Sequence, residues 1–132
     1  MRRTGSILVV DNEPAIVDLL VDIMTYEGYV VCSAPDSVQA LAMIALQAPA
    51  LILLDVQMPG MAGPELLEQV READLATLSI VLMTTAPRYI APLLARGARE
   101  CLAKPFDLDD LLACVARYVQ PAQVAGQLVF AN

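Results

Sequence analysis

Five short apolar runs, separated by segments of helical periodicity, constrain the fold of this chain more than any other feature. Each run is a continuous apolar block, which is typical of a strand buried on both faces of a sheet. The runs occupy residues 7–10, 29–32, 51–54, 80–83 and 101–103. Strands that alternate with helices favour a parallel sheet with right-handed crossovers and helices on both faces. We therefore predict a doubly wound α/β domain with a five-stranded parallel sheet over residues 1–120.

The first two segments between the runs predict helices with clear ends. One is expected over residues 14–26, with Pro14 in its first turn. Its apolar stripe consists of Ile16, Leu19, Leu20, Ile23 and Met24. Asp36 is expected to cap a second helix, which ends near Gln47, before Pro49.

Three further helices are predicted in the second half of the chain. The third opens at Gly63-Pro64 and has the inward-facing residues Leu66, Leu67 and Val70. The fourth, over residues 89–95, is short because Pro87 and Pro92 both disfavour a long helix. The last begins at Asp107, ends near Val119 and has an apolar face of Leu108, Leu111, Leu112 and Val115. Residues 121–132 form an apolar tail or the start of a linker, and packing on the domain or on a neighbouring chain are both open.

Composition and charge exclude several classes of function. With 58% apolar and 17% charged residues, the chain does not have the composition of a disordered protein. Its net charge of −7 disfavours nucleic acid and anionic membranes as direct partners. No apolar run approaches the length of about 18 residues that a membrane span needs. The chain has no histidine, which excludes His-based zinc sites and Ser-His or Cys-His catalysis.

The cysteines and the N-terminal residues predict a cytoplasmic location. Cys32, Cys101 and Cys114 are an odd number without CxxC spacing, so we expect buried, reduced thiols. Only four apolar residues separate Ser6 from Asp11, which is too short a run for a secretory signal.

Polar residues follow four of the five apolar runs, at the points where the predicted strands end. They are Asp11-Asn12-Glu13, Asp55, Thr84-Thr85 and Lys104, the only lysine of the chain. In a doubly wound domain these strand ends meet at one rim of the sheet. Two carboxylates held close together need a cation, and ligands that are all oxygens favour Mg²⁺. An ammonium at this rim would neutralise a carboxylate or a phosphoryl oxygen.

The motifs around these residues are Leu-Val-Val-Asp-Asn-Glu-Pro at 8–14, Leu-Leu-Asp-Val-Gln-Met-Pro-Gly at 53–60, Met-Thr-Thr-Ala at 83–86 and Lys-Pro-Phe at 104–106. Together they resemble the receiver domain of bacterial two-component response regulators, a flavodoxin-like (βα)5 fold related to the chemotaxis regulator. The resemblance covers residues 6 to 119 in the right order. Taken singly, each motif has a structural explanation: Asp11 or Asn12 as a helix cap, Asp55 as a turn residue, Thr85 as a strand-end hydroxyl. Their joint occurrence favours the site.

The resemblance implies that a histidine kinase or phosphotransfer protein transfers a phosphoryl group onto Asp55. The side chains of Asp11, Asn12 and Asp55, with the backbone carbonyl of Gln57, would hold Mg²⁺. Thr85 and Lys104 would contact the phosphoryl group, whose oxygens need their charge neutralised during transfer. The resemblance also implies a cis Lys104–Pro105 peptide bond.

Three departures from the family pattern bear on these expectations. Asn12 stands where the family usually has a second acid, and one unit charge at 4 Å is worth about 4 kcal/mol of gross attraction at an effective dielectric of 20. We therefore expect weakened Mg²⁺ affinity. Cys101 stands at the aromatic switch position, which pairs with Thr85 in the family. The segment between Thr85 and Lys104 is short, so we expect altered output. Glu13, Asp107, Asp109 and Asp110 are interpreted as acids at helix starts.

Three functions remain to be compared. The favoured one is a phosphoacceptor receiver, either a protein of its own or part of a longer regulator, which signals through contacts with a downstream protein target or output domain. The alternative is a pseudo-receiver that binds partners without phosphorylation, supported by Asn12 and Cys101. An enzyme acting on a free substrate is disfavoured, since Gln57 stands where an aspartyl phosphatase needs a general acid. Turnover is thus expected only at Asp55 itself, and a homodimer is compatible with the sequence.

Overall fold

A computed structural model describes residues 3–57, 63–72 and 78–121 of the chain. Five parallel strands form the main sheet: β1 (Ser6–Val10), β2 (Val30–Ala34), β3 (Leu51–Asp55), β4 (Ser79–Thr84) and β5 (Glu100–Ala103). Their order across the sheet is β2-β1-β3-β4-β5, with every neighbouring pair parallel. The predicted doubly wound five-stranded architecture is confirmed. The predicted tail beyond Pro121 lies outside the described residues, as do residues 58–62 of the second motif.

Among the described residues, five α-helices connect and follow the strands: α1 (Pro14–Tyr26), α2 (Ser37–Gln47), α3 (Gly63–Glu72), α4 (Ala91–Ala95) and α5 (Leu108–Tyr118). Both predicted aspartate caps are confirmed. The side chain of Asp36 accepts a hydrogen bond from the backbone N–H of Gln39 at 2.8 Å, and Asp107 accepts one from Asp110 at 2.8 Å. The fourth helix begins at residue 91 rather than 89, since a separate 3-10 turn spans Pro87–Tyr89.

The core lies in two layers, one on each face of the sheet. On one face, α1 and α5 cover side chains that include Val9, Leu53 and Val81. On the other face, α2, α3 and α4 cover side chains that include Leu8 and Leu54. The central strands β1, β3 and β4 therefore have residues buried on both faces, as the continuous apolar runs predicted.

The two edge strands do not fit that prediction. β2 begins at Val30 and ends at Ala34, two residues later than the predicted end, and Val30 is 55% exposed. β5 is likewise partly exposed along most of its length. An edge strand has a neighbour on one side only, and the helices above and below it cover it incompletely. An apolar run therefore identified a strand without showing where in the sheet the strand lies.

The helix faces and cysteines also differ in part from the predictions. Leu19 and Leu108 were assigned to apolar faces but are 55% and 49% exposed, because each lies at the border of its helix's buried stripe. All three cysteines are free thiols, as expected. Only Cys114 is fully buried, while Cys32 and Cys101 are partly exposed on the edge strands.

A short second sheet was not predicted. Arg3–Thr4 pairs in parallel with Val119–Gln120, so the segment after α5 returns to the start of the chain. Gly5 separates Arg3–Thr4 from β1 and has a φ of +156°. A Cβ at this position would lie 3.0 Å from the Cβ of Ala50, a separation that needs glycine.

The strand register brings the functional strand ends to one rim. Val10 pairs with Leu54, Asp55 pairs with Met83, and Thr84 pairs with Ala103. The next residue along the chain after β1 is Asp11, and after β5 it is Lys104. Since all the strands run in the same direction, these side chains emerge together.

Candidate functional site

Asp11 is buried at the rim and forms the closest ion pair of the site. Its side chain is fully inaccessible, and its Oδ2 lies 2.9 Å from the Nζ of Lys104. Its Oδ1 accepts a hydrogen bond from the backbone N–H of Glu13 at 3.0 Å. The residue that caps α1 is Glu13, which makes no side-chain capping bond. The Asp11 carboxylate therefore pairs with Lys104 at the rim and also fixes the turn before α1.

Asp55 is the second buried carboxylate, with a residue exposure of 3%. Its Oδ1 accepts a hydrogen bond from the backbone N–H of Gln57 at 3.1 Å and lies 3.6 Å from the Nζ of Lys104. Burial raises the pKa of Asp55 above its ordinary value, and the neighbouring charge of Asp11 acts in the same direction. The Gln57 N–H and the Lys104 ammonium oppose this shift without cancelling it. A buried carboxylate with a raised pKa is more basic than an exposed one.

Lys104, the single lysine of the sequence, faces this set of carboxylates. Its side chain is 13% exposed, and its backbone N–H donates to the carbonyl of Thr84 at 2.7 Å. The Oε1 of Glu13 lies 3.9 Å from the same Nζ, although this carboxylate is 64% exposed. Three carboxylates thus share one cation, which leaves an excess of negative charge at the rim. Such a site attracts a further cation.

Glu13 has one contact that the sequence did not predict. Its position at the start of α1 fits an acid favoured by the helix dipole, yet its carboxylate also faces Lys104. The signal available in the sequence was its place two residues after Asp11, in the loop that reaches the rim.

The two threonine hydroxyls at the end of β4 have different roles. Thr84 is buried, and its Oγ1 accepts the backbone N–H of Ala86 at 3.0 Å, which fixes the turn that follows the strand. Thr85 is exposed, and its Oγ1 donates to the side-chain Oε1 of Gln57 at 3.1 Å. Gln57 was predicted to act through its backbone carbonyl, and this side-chain contact was not predicted. Nothing in the sequence predicts it, because it joins loops 28 residues apart.

Two of the three departures are single residues, Asn12 and Cys101, and they lie at different places relative to the rim. Asn12 is at the rim with an exposed side chain. Cys101 lies on the edge strand β5, where it pairs with Leu82 of β4. It precedes Lys104 by three residues, which is roughly 10 Å along a strand. Burial raises the pKa of the Cys101 thiol, with the charge of Glu100 adding to the shift. A chain of contacts connects five of the predicted site residues: Asp11 to Lys104, Lys104 to Asp55, Asp55 to Gln57 and Gln57 to Thr85.

A second polar cluster, missed by the sequence analysis, connects β5 to α5. Glu100 accepts hydrogen bonds from both the Nε and an Nη of Arg117 and from the hydroxyl of Tyr118. Burial acts to raise the pKa of Glu100, but these donors outweigh it and hold the pKa below its ordinary value. The pKa of Tyr118 is raised to about 12, mainly by burial and by its bond to Glu100.

A small open cavity of about 200 Å³ adjoins the rim between α1 and the loop after β2. Its lining includes Asp11, Asn12, Val17 and Ser33. The volume is below the range of about 300–1,000 Å³ that is usual for small-molecule sites. It therefore extends the rim rather than forming a substrate pocket of its own.

Within the described parts of the chain, no group of three or more His, Cys, Asp or Glu side chains is arranged as a ready metal cluster. The carboxylates at the rim are instead drawn to Lys104. No helix in residues 3–57, 63–72 and 78–121 is long and apolar enough to cross a membrane.

Comparison with known proteins gives a consistent result. The family model described as "Response regulator receiver domain" matches residues 7–116. Sporulation initiation phosphotransferase F of Bacillus subtilis is 34% identical over 115 residues, covering 86% of this chain and 92% of that protein. Response regulator MprA of Mycobacterium bovis (strain BCG / Pasteur 1173P2) is 40% identical over 127 residues, covering 92% of this chain and 55% of that protein. The chain thus spans about half the length of the mycobacterial regulators that it matches.

Solved structures show the same fold. The chemotaxis response regulator CheY4 of Vibrio cholerae matches with a TM-score of 0.81 at 31% identity, covering 86% of this chain and 98% of that chain. The response regulator protein TrrA of Thermotoga maritima, solved in complex with Mg(2+)-BeF, matches with a TM-score of 0.76 at 33% identity. Coverage in that match is 89% of this chain and 98% of the other.

Proposed function

The chain belongs to the response regulator receiver domain family, and we propose from this premise that its Asp55 accepts a phosphoryl group. The donor is a phosphorylated histidine on a partner kinase or phosphotransfer protein, since this chain has no histidine of its own. The observation that carries the proposal is the arrangement of Asp55, Asp11 and Lys104. A buried carboxylate lies 3.6 Å from an ammonium that is itself held 2.9 Å from a second buried carboxylate.

The transfer is an in-line displacement at phosphorus. A carboxylate oxygen of Asp55 forms the new O–P bond, while the N–P bond to the donor imidazole breaks and its electron pair stays on the ring nitrogen. The raised pKa of Asp55 makes its oxygens better nucleophiles than those of an exposed aspartate. The Lys104 ammonium, already between the two carboxylates, can turn to a phosphoryl oxygen and neutralise it. The Thr85 hydroxyl supplies a further hydrogen bond to that group.

The oxygen-rich rim fits a hard divalent cation. We propose that the carboxylates of Asp11 and Asp55, the amide oxygen of Asn12 and the backbone carbonyl of Gln57 hold Mg²⁺. When bound, this ion would neutralise charge on the phosphoryl oxygens. The excess of negative charge over the single ammonium favours such binding. Asn12 contributes a neutral ligand where an acid would contribute a charge, so we propose an affinity lower than that of a site with a third carboxylate.

Signalling is proposed to proceed through protein contacts rather than through turnover of a free substrate. Phosphorylation would change what the α4, β5 and α5 surface presents to a downstream protein or to an output domain of a longer regulator. We propose a cytoplasmic location, since the phosphodonor and the free thiols both belong there.

The alternative is a pseudo-receiver that binds its partner without phosphorylation. The observation that favours it is the resting arrangement itself: Lys104 is already paired with Asp11 and Asp55, and Asn12 adds no charge. Against it stands the complete set of Asp55, Thr85 and Lys104.

The two functions are distinguished by the intact mass of the protein after incubation with acetyl phosphate and Mg²⁺. The phosphoacceptor function predicts a gain of about 80 Da, the mass of one phosphoryl group. The gain should be absent in Asp55→Asn and after addition of a chelator. An unmodified wild-type protein at saturating Mg²⁺ would contradict the proposal and favour the pseudo-receiver.

A further inference from the structure

The Gln57 side chain accepts the hydrogen bond of Thr85 at 3.1 Å, across the gap between the loops that follow β3 and β4. We propose that Gln57 is a positioning residue that keeps the Thr85 hydroxyl engaged in the resting protein, so that phosphorylation must exchange one hydrogen bond for another. The proposal rests on the proposed function of Asp55 and adds a regulatory role for a residue two positions away.

Thr85 has one hydroxyl donor, and it is already in use. A threonine hydroxyl carries a single O–H, and this one is directed at the Oε1 of Gln57. It cannot donate to Gln57 and to a phosphoryl oxygen at the same time. Any state in which Thr85 donates to the phosphoryl group is therefore a state in which Gln57 has lost that partner.

Gln57 is also anchored to the acceptor itself. Its backbone N–H donates to the Oδ1 of Asp55 at 3.1 Å, while its side chain holds Thr85. One residue thus connects the carboxylate that would be modified with the hydroxyl that would respond. Thr84 fixes the other side of the gap, since its buried Oγ1 accepts the N–H of Ala86 and holds the turn after β4.

Because both side chains are exposed, water competes for the bond and its effect on an equilibrium is modest. A neutral hydrogen bond in this setting shifts an equilibrium by roughly 2- to 5-fold. Removing the acceptor should therefore release Thr85 and favour the state with a bound phosphoryl group by about the same factor.

The first test uses the free protein and does not depend on phosphorylation. Gln57→Met keeps the length of the side chain and removes the acceptor, and NMR three-bond couplings report the χ1 rotamer of Thr85. We expect the rotamer that donates to Gln57 to predominate in the wild type, and its population relative to the other rotamers to fall by roughly 2- to 5-fold in the variant. Gln69→Met makes the same change on the exposed face of α3 and should leave Thr85 unchanged. Equal Thr85 rotamer populations in the wild type and in Gln57→Met overturn the proposal.

The second test is a titration of each protein with beryllofluoride in the presence of Mg²⁺, followed through the backbone amide of Ala86. Gln57→Met should bind roughly 2- to 5-fold more tightly than the wild type, and this gain should vanish in a Thr85→Val background. Equal binding by wild type and variant overturns the exchange. Absence of binding in both proteins overturns the proposed function of Asp55, an outcome that the rotamer measurement separates from failure of the Gln57 contact.

Discussion

Replacing Lys104 with methionine should destabilise the fold far more than loss of any exposed cation. At an effective dielectric of 20, the 2.9 Å pair with Asp11 has a gross attraction of about 6 kcal/mol and the 3.6 Å pair with Asp55 about 5 kcal/mol. The cost of burying the ammonium offsets much of this attraction. Removing one member of a buried ion pair leaves an uncompensated charge, and we expect a net loss of about 3–5 kcal/mol.

The loss should depend on pH in a defined direction. Lys104 acts to lower the pKa of Asp55. In the Lys104→Met variant, the pKa of Asp55 in the folded state should therefore rise further above its value in the unfolded chain. A carboxyl whose folded pKa is raised binds its proton preferentially in the folded state. The variant's stability should therefore fall as pH rises from about 4, the unfolded pKa, and the deficit should be complete above the folded pKa.

Urea unfolding followed by far-UV circular dichroism measures both effects, in a buffer with chelator so that no divalent cation replaces the ammonium. Arg99→Met is the matched control, because Arg99 is exposed and its replacement should change the free energy of unfolding by less than about 0.5 kcal/mol. The electrostatic account of the rim would be refuted if Lys104→Met lost less than about 1 kcal/mol of unfolding free energy at neutral pH and lost the same amount at acid pH.

Three further predictions concern single charges. Asp55→Asn should stabilise the fold by about 1 kcal/mol at neutral pH in the same unfolding assay, because it removes a buried carboxylate whose pKa is raised; destabilisation would contradict this. Glu100→Gln should cost about 1 kcal/mol above pH 4.5. Since the folded pKa of Glu100 is lowered, that contribution is lost as pH falls through the folded value, and a pH-independent difference would argue against it. Asn12→Asp should tighten Mg²⁺ binding by roughly 10-fold in calorimetry, since it restores a charge whose gross attraction desolvation partly offsets; equal affinities would show that Asn12 is not at the ion.

The rim combines two buried carboxylates and one ammonium in a way that costs stability. Burial raises the pKa of Asp55, so its negative charge lowers the stability of the fold, and the Gln57 N–H and Lys104 offset part of that cost. A site with an excess of negative charge favours binding of a cation. That cation would in turn neutralise charge on a phosphoryl group. The opposite effects expected for Lys104→Met and Asp55→Asn express this conflict between stability and function.

The parts of the fold that follow from local pattern were predictable. The runs at 51–54 and 80–83 became central strands because continuous apolar sequence needs cover on both faces. Asp36 and Asp107 became caps because capping is a contact over three residues. The rim residues could be placed because parallel strands end on the same side, which fixes their meeting without knowledge of the loops.

The contacts that were missed depend on tertiary position. The exposure of Val30 follows from the edge place of its strand, and a run of apolar residues contains no information about strand order. The bond between Thr85 and Gln57 and the bonds from Arg117 to Glu100 join segments that only the folded sheet brings together. Glu13 faces Lys104 because of the turn around Asp11, which the sequence predicted only as a possible cap.

The central claim is that the carboxylate of Asp55 accepts the phosphoryl group, and chemical trapping tests it most directly. After acetyl phosphate and Mg²⁺, borohydride reduces an aspartyl phosphate to homoserine, and peptide mass spectrometry then locates the reduced residue. The account predicts homoserine at position 55 alone, with unmodified aspartate at position 11 and no product in Asp55→Asn. Homoserine at another aspartate, or none in a wild-type protein that is folded and saturated with Mg²⁺, would contradict it.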